Sequence, residues 1–417
     1  MPARYWIETL GCPKNQVDSD KLEGTLLADG LTQAAGPGDA DLVVVNTCAF
    51  IEDARRESVD TILALADGRK EGARLVVTGC LAERYADDLA EALPEVDQVA
   101  GFGVPVTLGS RHGHVPRLDL LNLPRPPASA PWAYVKVAEG CDRICGFCAI
   151  PSFRGPQRSR DVASILDEVR ALSAQEIVLV AQDLASYGKD RPDLGAGSIV
   201  SLVEAVGALV PRVRLLYLYP SDLSDGLISV IEASGVHYFD LSLQHVSKPL
   251  LRRMRRWGDG ARFLRRIGEI RSRMPDAAFR SNFIVGYPGE TEADHDRLLA
   301  WVEDAQLDWC GFFAFSPEEG TYAFDLSDPV PAALAAERLA ELRAAQDEIT
   351  FVKRAALVGS TCDVLVDAPG VGRSHREAPE IDGIIAVPDS LAVGSFATVS
   401  ITGAAGTDLE AAALARV

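Results

Sequence analysis

Apolar and polar positions fall into three regimes along this chain. From Tyr5 to about Gly109, short apolar runs at Tyr5–Leu10, Leu42–Val45 and Leu75–Val77 are each followed by a helix-compatible segment: Asp18–Ala28, Glu52–Ala66 and Glu83–Leu93. Short buried strands alternating with helices predict parallel βα units in a doubly wound sheet. Between about Arg111 and Pro131, Pro116, Pro124, Pro126, Pro127 and Pro131 interrupt any regular pattern, which reads as a linker. A second series follows, with strands expected at Ala133–Val137, Glu176–Ala181, Arg214–Tyr219, Tyr238–Leu243, Phe279–Val285 and Trp309–Phe315. Helices are expected between them at Val162–Ser173, Val200–Leu209, Leu223–Ala233, Phe263–Met274 and Thr291–Asp304. Six repeats are two short of a closed eight-fold barrel, so a partial (β/α)6 barrel is expected, its cleft wide enough for a macromolecule. An amphipathic stretch, Ala332–Leu357, leads out of it. From Gly359, β runs at Cys362–Val366, Ile381–Val387 and Phe396–Ile401, broken by Gly and Pro, predict a small C-terminal β-barrel of the OB-like kind. The expected domains are therefore 1–112, a linker at 113–131, a core at 132–358 and a β-module at 359–417.

Composition narrows the class. Apolar residues make up 47% and charged residues 24%, the balance of an ordinary globular chain. No stretch reaches the ~18 uninterrupted apolar residues of a membrane helix, and Met1-Pro2-Ala3-Arg4 opens no signal-peptide pattern. A cytoplasmic protein is expected. The net charge of −19 repels nucleic acid and anionic lipid except at a local basic patch, and attracts a basic partner. Eight cysteines in a reducing compartment point to ligands rather than disulfides.

The sharpest motif is Gly140-Cys141-Asp142-Arg143-Ile144-Cys145-Gly146-Phe147-Cys148, just after the first strand of the six-repeat region. Three thiolates on one tight loop suit a cubane cluster. Three protein ligands also leave one iron open, as catalytic metal sites require. An open iron can chelate the amino and carboxylate groups of methionine. A structural zinc site would need a fourth ligand, and the nearest histidines, His112 and His114, lie across the linker. The motif, its position and the partial barrel resemble the radical S-adenosylmethionine superfamily. That resemblance implies a cluster on Cys141, Cys145 and Cys148, with Phe147 beside the adenine of the cofactor. Gln182, at the end of the second strand, is a further cofactor-facing candidate; Asp183 is equally compatible with a simple N-cap.

Cys12, Cys48 and Cys80 lie far apart, yet each follows the C-terminal end of an expected parallel strand. Such ends line one crevice, where three thiols would converge. The competing reading is three unconnected cysteines packed as small hydrophobes, and Cys310 and Cys362 have no comparable context. A three-cysteine N-terminal domain, a radical core and a C-terminal β-module together resemble the methylthiotransferases, whose β-module is called TRAM. The resemblance implies two [4Fe-4S] clusters and S-adenosyl-L-methionine. The second cluster, on Cys12, Cys48 and Cys80, would carry the sulfur to be inserted, and an electron donor and a sulfur donor would serve the enzyme.

Two branches of that family differ in substrate. The segment Leu10-Gly11-Cys12-Pro13-Lys14-Asn15-Gln16-Val17-Asp18-Ser19-Asp20 resembles the branch acting on the β-carbon of an aspartate in small-subunit ribosomal protein twelve. The other branch, acting on an isopentenylated tRNA adenosine, tends to have Gln-Met after the cysteine. Ala378-Pro379-Glu380-Ile381-Asp382-Gly383 also resembles the ribosomal-protein branch. The β-module has eight acids (Asp363, Asp367, Glu377, Glu380, Asp382, Asp389, Asp408, Glu410) and three bases (Arg373, Arg376, Arg416), a net charge of −5. Such a module should repel RNA and attract a basic ribosomal protein. Two basic runs cut the other way, Arg154/Arg158/Arg160 and Arg252/Arg253/Arg255/Arg256; either could touch RNA or form ion pairs on a solvated face. One departure from the family pattern is Ser242-Leu243-Gln244-His245-Val246, where Pro-Leu-Gln-His-Ser is usual.

Overall fold

The computed structural model describes residues 2–108, 119–195 and 197–414. The expected linker lies partly outside the described residues, as do His112 and His114. The chain forms two compact units. The first takes Met1–Pro127, Tyr134–Arg143 and Cys148–Leu172; the second takes Ala128–Ala133, Ile144–Phe147 and Ser173–Val417.

The first unit opens with β1 (Arg4–Thr9), α1 (Pro13–Ala28), β2 (Thr32–Gln33), β3 (Leu42–Thr47), α2 (Glu52–Gly68), β4 (Arg74–Gly79), α3 (Cys80–Ala92) and β5 (Gln98–Ala100). The strands form one parallel sheet of order β2-β1-β3-β4-β5. Leu42–Thr47 is buried throughout, as a strand covered on both faces must be. Alternate residues serve opposite cores. Val43, Val45, Leu75 and Val77 pack with Ile62 of α2 and Leu81 and Leu89 of α3. Tyr5, Leu42, Val44 and Val76 pack with Leu22 and Leu26 of α1. This is the expected doubly wound arrangement. Helix α1 begins five residues before the expected start, because Pro13 takes the first helical position, where its missing N–H costs nothing. The unit continues with β6 (Trp132–Lys136), β7 (Ala138–Glu139), α4 (Ile150–Arg154), β8 (Arg158–Ser159) and α5 (Val162–Leu172).

The second unit contains the rest of the barrel series: β9 (Glu176–Val180), α6 (Ser198–Gly207), β10 (Arg212–Leu215), α7 (Asp225–Ala233), β11 (Tyr238–Gln244), α8 (Lys248–Arg253), α9 (Gly260–Arg273), β12 (Ala278–Val285), α10 (Glu292–Ala305), β13 (Trp309–Ala314) and α11 (Ala332–Ala355). Within this unit β9 pairs with β10, and β11-β12-β13 form a second sheet. A parallel bridge between Leu218 and Leu241 joins these two sheets, so that β9 to β13 run in the consecutive parallel order of a partial barrel. The expected strand Arg214–Tyr219 stops at Leu215. Tyr217 turns into the left-handed region (φ 66°) and gives its N–H to the Asp240 carboxylate at 2.9 Å.

A closed five-stranded barrel completes this unit: β14 (Thr361–Ala368), β15 (Val371–Arg373), β16 (Ile385–Ala386), β17 (Phe396–Ala405) and β18 (Asp408–Ala413), in the order β14-β15-β16-β18-β17. The expected strand Ile381–Val387 shrinks to two residues. The buried Asp382 carboxylate pulls this segment out of extension by accepting from Ala378 N–H (2.9 Å), Tyr238 Oη (2.6 Å) and Arg280 (2.7 Å).

Buried ion pairs attach the β-module to the strand starts of the partial barrel. Glu176 meets Arg214 (2.7 Å) and Arg373 (3.3 Å), and all three side chains are at most 2% exposed. Arg354 pairs with Glu377, Arg373 also pairs with Asp367, and Trp309 Nε1 donates to Arg376 O at 2.7 Å. Asp367, Glu377 and Asp382 therefore spend their charge on internal arginines. The acidity left to attract a basic partner is smaller than the count of acids in the sequence.

Candidate cluster-binding sites

Each N-terminal thiol sits where a strand gives way to a helix. Cys12 is the N-cap of α1, Cys48 directly follows β3, and Cys80 opens α3 straight after β4. Because β1, β3 and β4 are adjacent and parallel, all three ends share one edge of the sheet. Asn15 ties that edge together. Its Nδ2 donates to Leu10 O and Thr47 O, both at 2.9 Å, while its Oδ1 faces Cys80 Sγ at 3.6 Å. Two glycines permit the approach. A Cβ at Gly11 (φ +92°) would fall 2.9 Å from Cys48 Sγ, and one at Gly79 (φ +91°) would fall 2.6 Å from Thr47 N and O.

The electrostatics fit thiolate ligation. Burial pushes the Cys48 thiol up to about 12, and the neighbouring Cys12 and Cys80 add to the rise. Burial also raises Cys80, against the pull of Arg154. Cys12 moves the other way: burial is outweighed by Lys14, Arg154 and the backbone N–H groups of Asn15 and Lys14 at the helix start. Thiols that oppose one another's ionisation form a donor set that a bound cation relieves. Among the described residues, no three His, Cys, Asp or Glu side chains stand at the spacing of a single metal ion. A cubane makes a different demand, since each thiolate binds its own iron and the sulfurs stay farther apart.

Of the two readings open for the first basic run, RNA contact or ion pairs on a solvated face, Arg154 takes ion pairing, but in the interior: it is buried, with Nη2 3.1 Å from Cys80 Sγ and 2.8 Å from Asn15 Oδ1. Its Nη1 reaches Glu139 (2.8 Å) and Asp18 (3.3 Å), carboxylates that also hold the buried Lys136, and its guanidinium lies 4.4 Å over the Phe102 ring. Arg160 is likewise buried, pairing with Glu168 at 2.7 Å. Arg158 alone of the three is exposed, and it pairs with Asp119 at 3.0 Å.

The second cysteine group lies on the loop between β7 and α4. Cys141 and Cys148 belong to the first unit and Cys145 to the second. Cys141 N–H donates to Gly155 O at 3.1 Å, and its Sγ accepts from Arg143 N–H at 3.4 Å. Gly146 is wedged in place, with its N–H on Met254 O (2.8 Å) and its carbonyl on Ala323 N–H (2.7 Å). A Cβ there would fall 2.9 Å from Tyr287 Oη. Arg256 donates to Cys145 Sγ at 3.3 Å and to Ser242 O, its guanidinium 4.0 Å from the Tyr219 ring centroid. A cationic N–H on a ligating sulfur stabilises a reduced cluster. The two sulfur-facing arginines, Arg154 and Arg256, were in the sequence only as members of basic runs; no spacing rule links them to a cysteine.

The remaining candidates are placed as follows. Phe147 is half-buried on the loop, and Gln182 is half-buried two residues past β9. Asp183 stands at the N-cap of a short 3-10 turn without capping it; its carboxylate accepts from Ser186 Oγ at 2.8 Å. Cys310 in β13 and Cys362 in β14 are half-buried thiols raised by burial, Cys362 to about 11. At the departure from the family pattern, Gln244 adopts φ 70° and the β11–β12 register shifts between Leu241 and Gln244.

A parallel barrel with a three-cysteine loop behind its opening strand defines a radical S-adenosylmethionine enzyme, and comparison with known proteins agrees. The Radical SAM superfamily model matches residues 135–302, the TRAM domain model matches 358–414, and the model of the uncharacterized protein family UPF0004 matches 4–101. Three curated relatives bear the name ribosomal protein uS12 methylthiotransferase RimO. The one from Anaeromyxobacter sp. (strain K) is 41% identical, covering 100% of this chain and 94% of its own. Those from Moorella thermoacetica and Aquifex aeolicus are 42% and 40% identical, covering 96% and 97% of this chain and 96% and 95% of theirs. The chain belongs to the RimO family of ribosomal protein uS12 methylthiotransferases. Among solved structures, the radical S-adenosylmethionine methyltransferase TsrM from Kitasatospora setae, with cobalamin and a [4Fe-4S] cluster bound, shares the fold. Its TM-score is 0.50 at 14% identity, covering 94% of this chain and 84% of that one. The family's cofactors are S-adenosyl-L-methionine and [4Fe-4S] clusters. No helix among the described residues is long and apolar enough to cross a membrane.

Proposed function

We propose that this chain adds a methylthio group to the β-carbon of an aspartate in small-subunit ribosomal protein uS12. Cys141, Cys145 and Cys148 hold the radical-generating [4Fe-4S] cluster, and Cys12, Cys48 and Cys80 hold the second one. The observation that carries the reading is the convergence of the second trio around Asn15 and Arg154. When bound, the clusters and S-adenosyl-L-methionine supply one-electron chemistry that reaches an unactivated C–H bond, which no side-chain base tuned near pH 7 can deprotonate.

The chain's own residues bind, orient and tune. Arg256 and Arg154 place cationic N–H groups on Cys145 and Cys80. Gly11, Gly79 and Gly146 clear space that a Cβ would fill. Phe147 packs beside the cofactor's adenine and Gln182 faces the same cofactor. A separate electron donor and a sulfur donor complete the system. The domain limits proposed from the sequence, 1–112, 132–358 and 359–417, assign one cluster to each of the first two domains.

Anaerobic reconstitution with S-adenosylmethionine and reductant tests this. The native chain releases 5′-deoxyadenosine and Cys145→Ala releases none. Cys80→Ala keeps the release, loses methylthio transfer and retains about half the iron, since one cubane of two remains. Release that persists in Cys145→Ala refutes the assignment. Mass spectrometry of uS12 and of bulk tRNA from a strain lacking the gene separates the two substrate branches.

A further inference from the structure

The charge of this chain is unevenly distributed. Between Lys248 and Arg273, ten of 26 residues are Lys or Arg and two are acidic, a net +8 inside a chain of −19. Half of these bases are engaged internally. Arg253 meets Asp328 and Ser327 O, Arg256 meets Cys145, Arg266 meets Asp225 and Glu269, Arg271 caps the carbonyls of Ala305 and Gln306, and Arg273 meets Glu232. Lys248, Arg252, Arg255, Arg262 and Arg265 are exposed and, among the described residues, have no acid at ion-pair distance.

Two of these five lie on aromatic rings. The Arg255 guanidinium is 3.8 Å from the Tyr322 ring centroid and that of Arg262 is 5.2 Å from the Trp257 ring. Both rings are about two-fifths exposed, Tyr322 at 40% and Trp257 at 41%. Arg255 is held at φ 54°, a conformation a non-glycine residue adopts only when its surroundings impose it. The surface also borders the catalytic loop: Met254 O anchors Gly146, and Arg256 reaches Cys145 from the same segment. Ile144, next to Cys145, is 73% exposed.

We infer that this arginine- and aromatic-lined surface binds RNA, so that the enzyme takes its ribosomal protein together with the RNA around it. The identity of that RNA as ribosomal rests on the proposed function; the RNA-binding surface itself does not. Unmatched cations displace the counterions of a phosphate backbone. A guanidinium laid on a ring offers its outer face to an unstacked base, the arrangement that favours irregular or single-stranded RNA. An acidic protein would match the charge, but its carboxylates pair with guanidinium edges and leave the outward faces of these stacks unused, whereas RNA supplies a charge and a base at every residue. A free ribosomal protein, being basic, would be repelled at this surface; the same protein within its RNA arrives with net negative charge. The negative charge over the rest of the chain turns approaching RNA toward this side.

The probe is a fluorescein-labelled, 20-nucleotide single-stranded RNA of mixed sequence, followed by anisotropy across a salt series with the full chain. Five contacts give log K a slope of about −3.5 against log salt, at roughly −0.7 per contact. The triple variant R252E/R255E/R262E lowers the slope by about 2 and weakens binding at least tenfold at low salt. The triple variant R252K/R255K/R262K keeps the slope, which separates lost charge from a lost fold. Turnover of isolated small ribosomal subunits falls at least tenfold in the Glu variant, while turnover of free uS12 is unchanged or rises. The inference is overturned if the native chain does not bind the RNA, if the Glu variant binds it equally, or if polyglutamate binds as tightly as the RNA. If RNA binding behaves as expected but neither substrate is modified by the native enzyme, the proposed function fails and the RNA surface stands.

Discussion

Replacing Glu176 with Gln removes one negative charge from the junction between barrel and β-module; the buried Arg214 keeps the carbonyls of His375 and Ser374, and the buried Arg373 keeps Asp367. Burial alone would raise this carboxyl, but Arg214, Arg373 and Arg212 outweigh it and bring it down from 4.5 to about 2. A depression of that size corresponds to about 3 kcal/mol of native-state stability at neutral pH. Breaking a buried ion pair by deleting one partner costs roughly 3–5 kcal/mol, which agrees. For a unit of this size the melting temperature should drop by about 6–12 °C, read by scanning calorimetry at pH 7. The pH dependence has a definite sign. A depressed carboxyl contributes fully above its ordinary value of 4.5 and loses that contribution as pH falls through about 2. The gap between native and variant is therefore constant from pH 6 to 8 and closes progressively below pH 4.5. A drop under about 2 °C at pH 7, or a gap that persists unchanged at pH 3, refutes the reasoning.

Three further outcomes follow from the sites. Gly79→Ala forces a Cβ against the Thr47 backbone at a left-handed φ, so it should cost about 1–3 kcal/mol in a denaturant titration and reduce iron uptake by displacing Cys80. Arg154→Met takes a guanidinium from Asp18 and Glu139, both of which keep Lys136, and takes an N–H from Cys80. It should lower stability by roughly 3–5 kcal/mol and make the second cluster harder to reduce in an EPR-monitored titration; an unchanged potential would show that Arg154 is structural only. Phe147→Ala removes the ring proposed to pack on the adenine and should weaken S-adenosylmethionine binding by about 1–3 kcal/mol, the scale of base–aromatic stacking, measured by calorimetric titration.

Local features carried much of this protein in the sequence itself. Runs such as Leu42–Val45 announce buried parallel strands because every residue must be apolar or paired when both faces are covered, and the strand there extends to Thr47. The Cys141–Cys148 loop points to a cluster because its three proposed ligands lie within eight residues. Cys12, Cys48 and Cys80 were half visible: strand ends could be read, but their convergence needed β1, β3 and β4 to be neighbours. What stayed hidden is the pairing of charges across long separations. Arg154 reaches Cys80 across 74 residues, and Arg256 reaches Cys145 across 111. The acids Asp367, Glu377 and Asp382 counted toward a surface charge in the sequence, yet they are bound to arginines inside the fold. The strand ends at Leu215 and Ile385 were misplaced for the same reason, since the carboxylates of Asp240 and Asp382 redirect the backbone there. Periodicity encodes what each residue prefers in its own turn or strand, whereas a buried charge is set by whichever distant group the tertiary fold brings within a few ångströms of it.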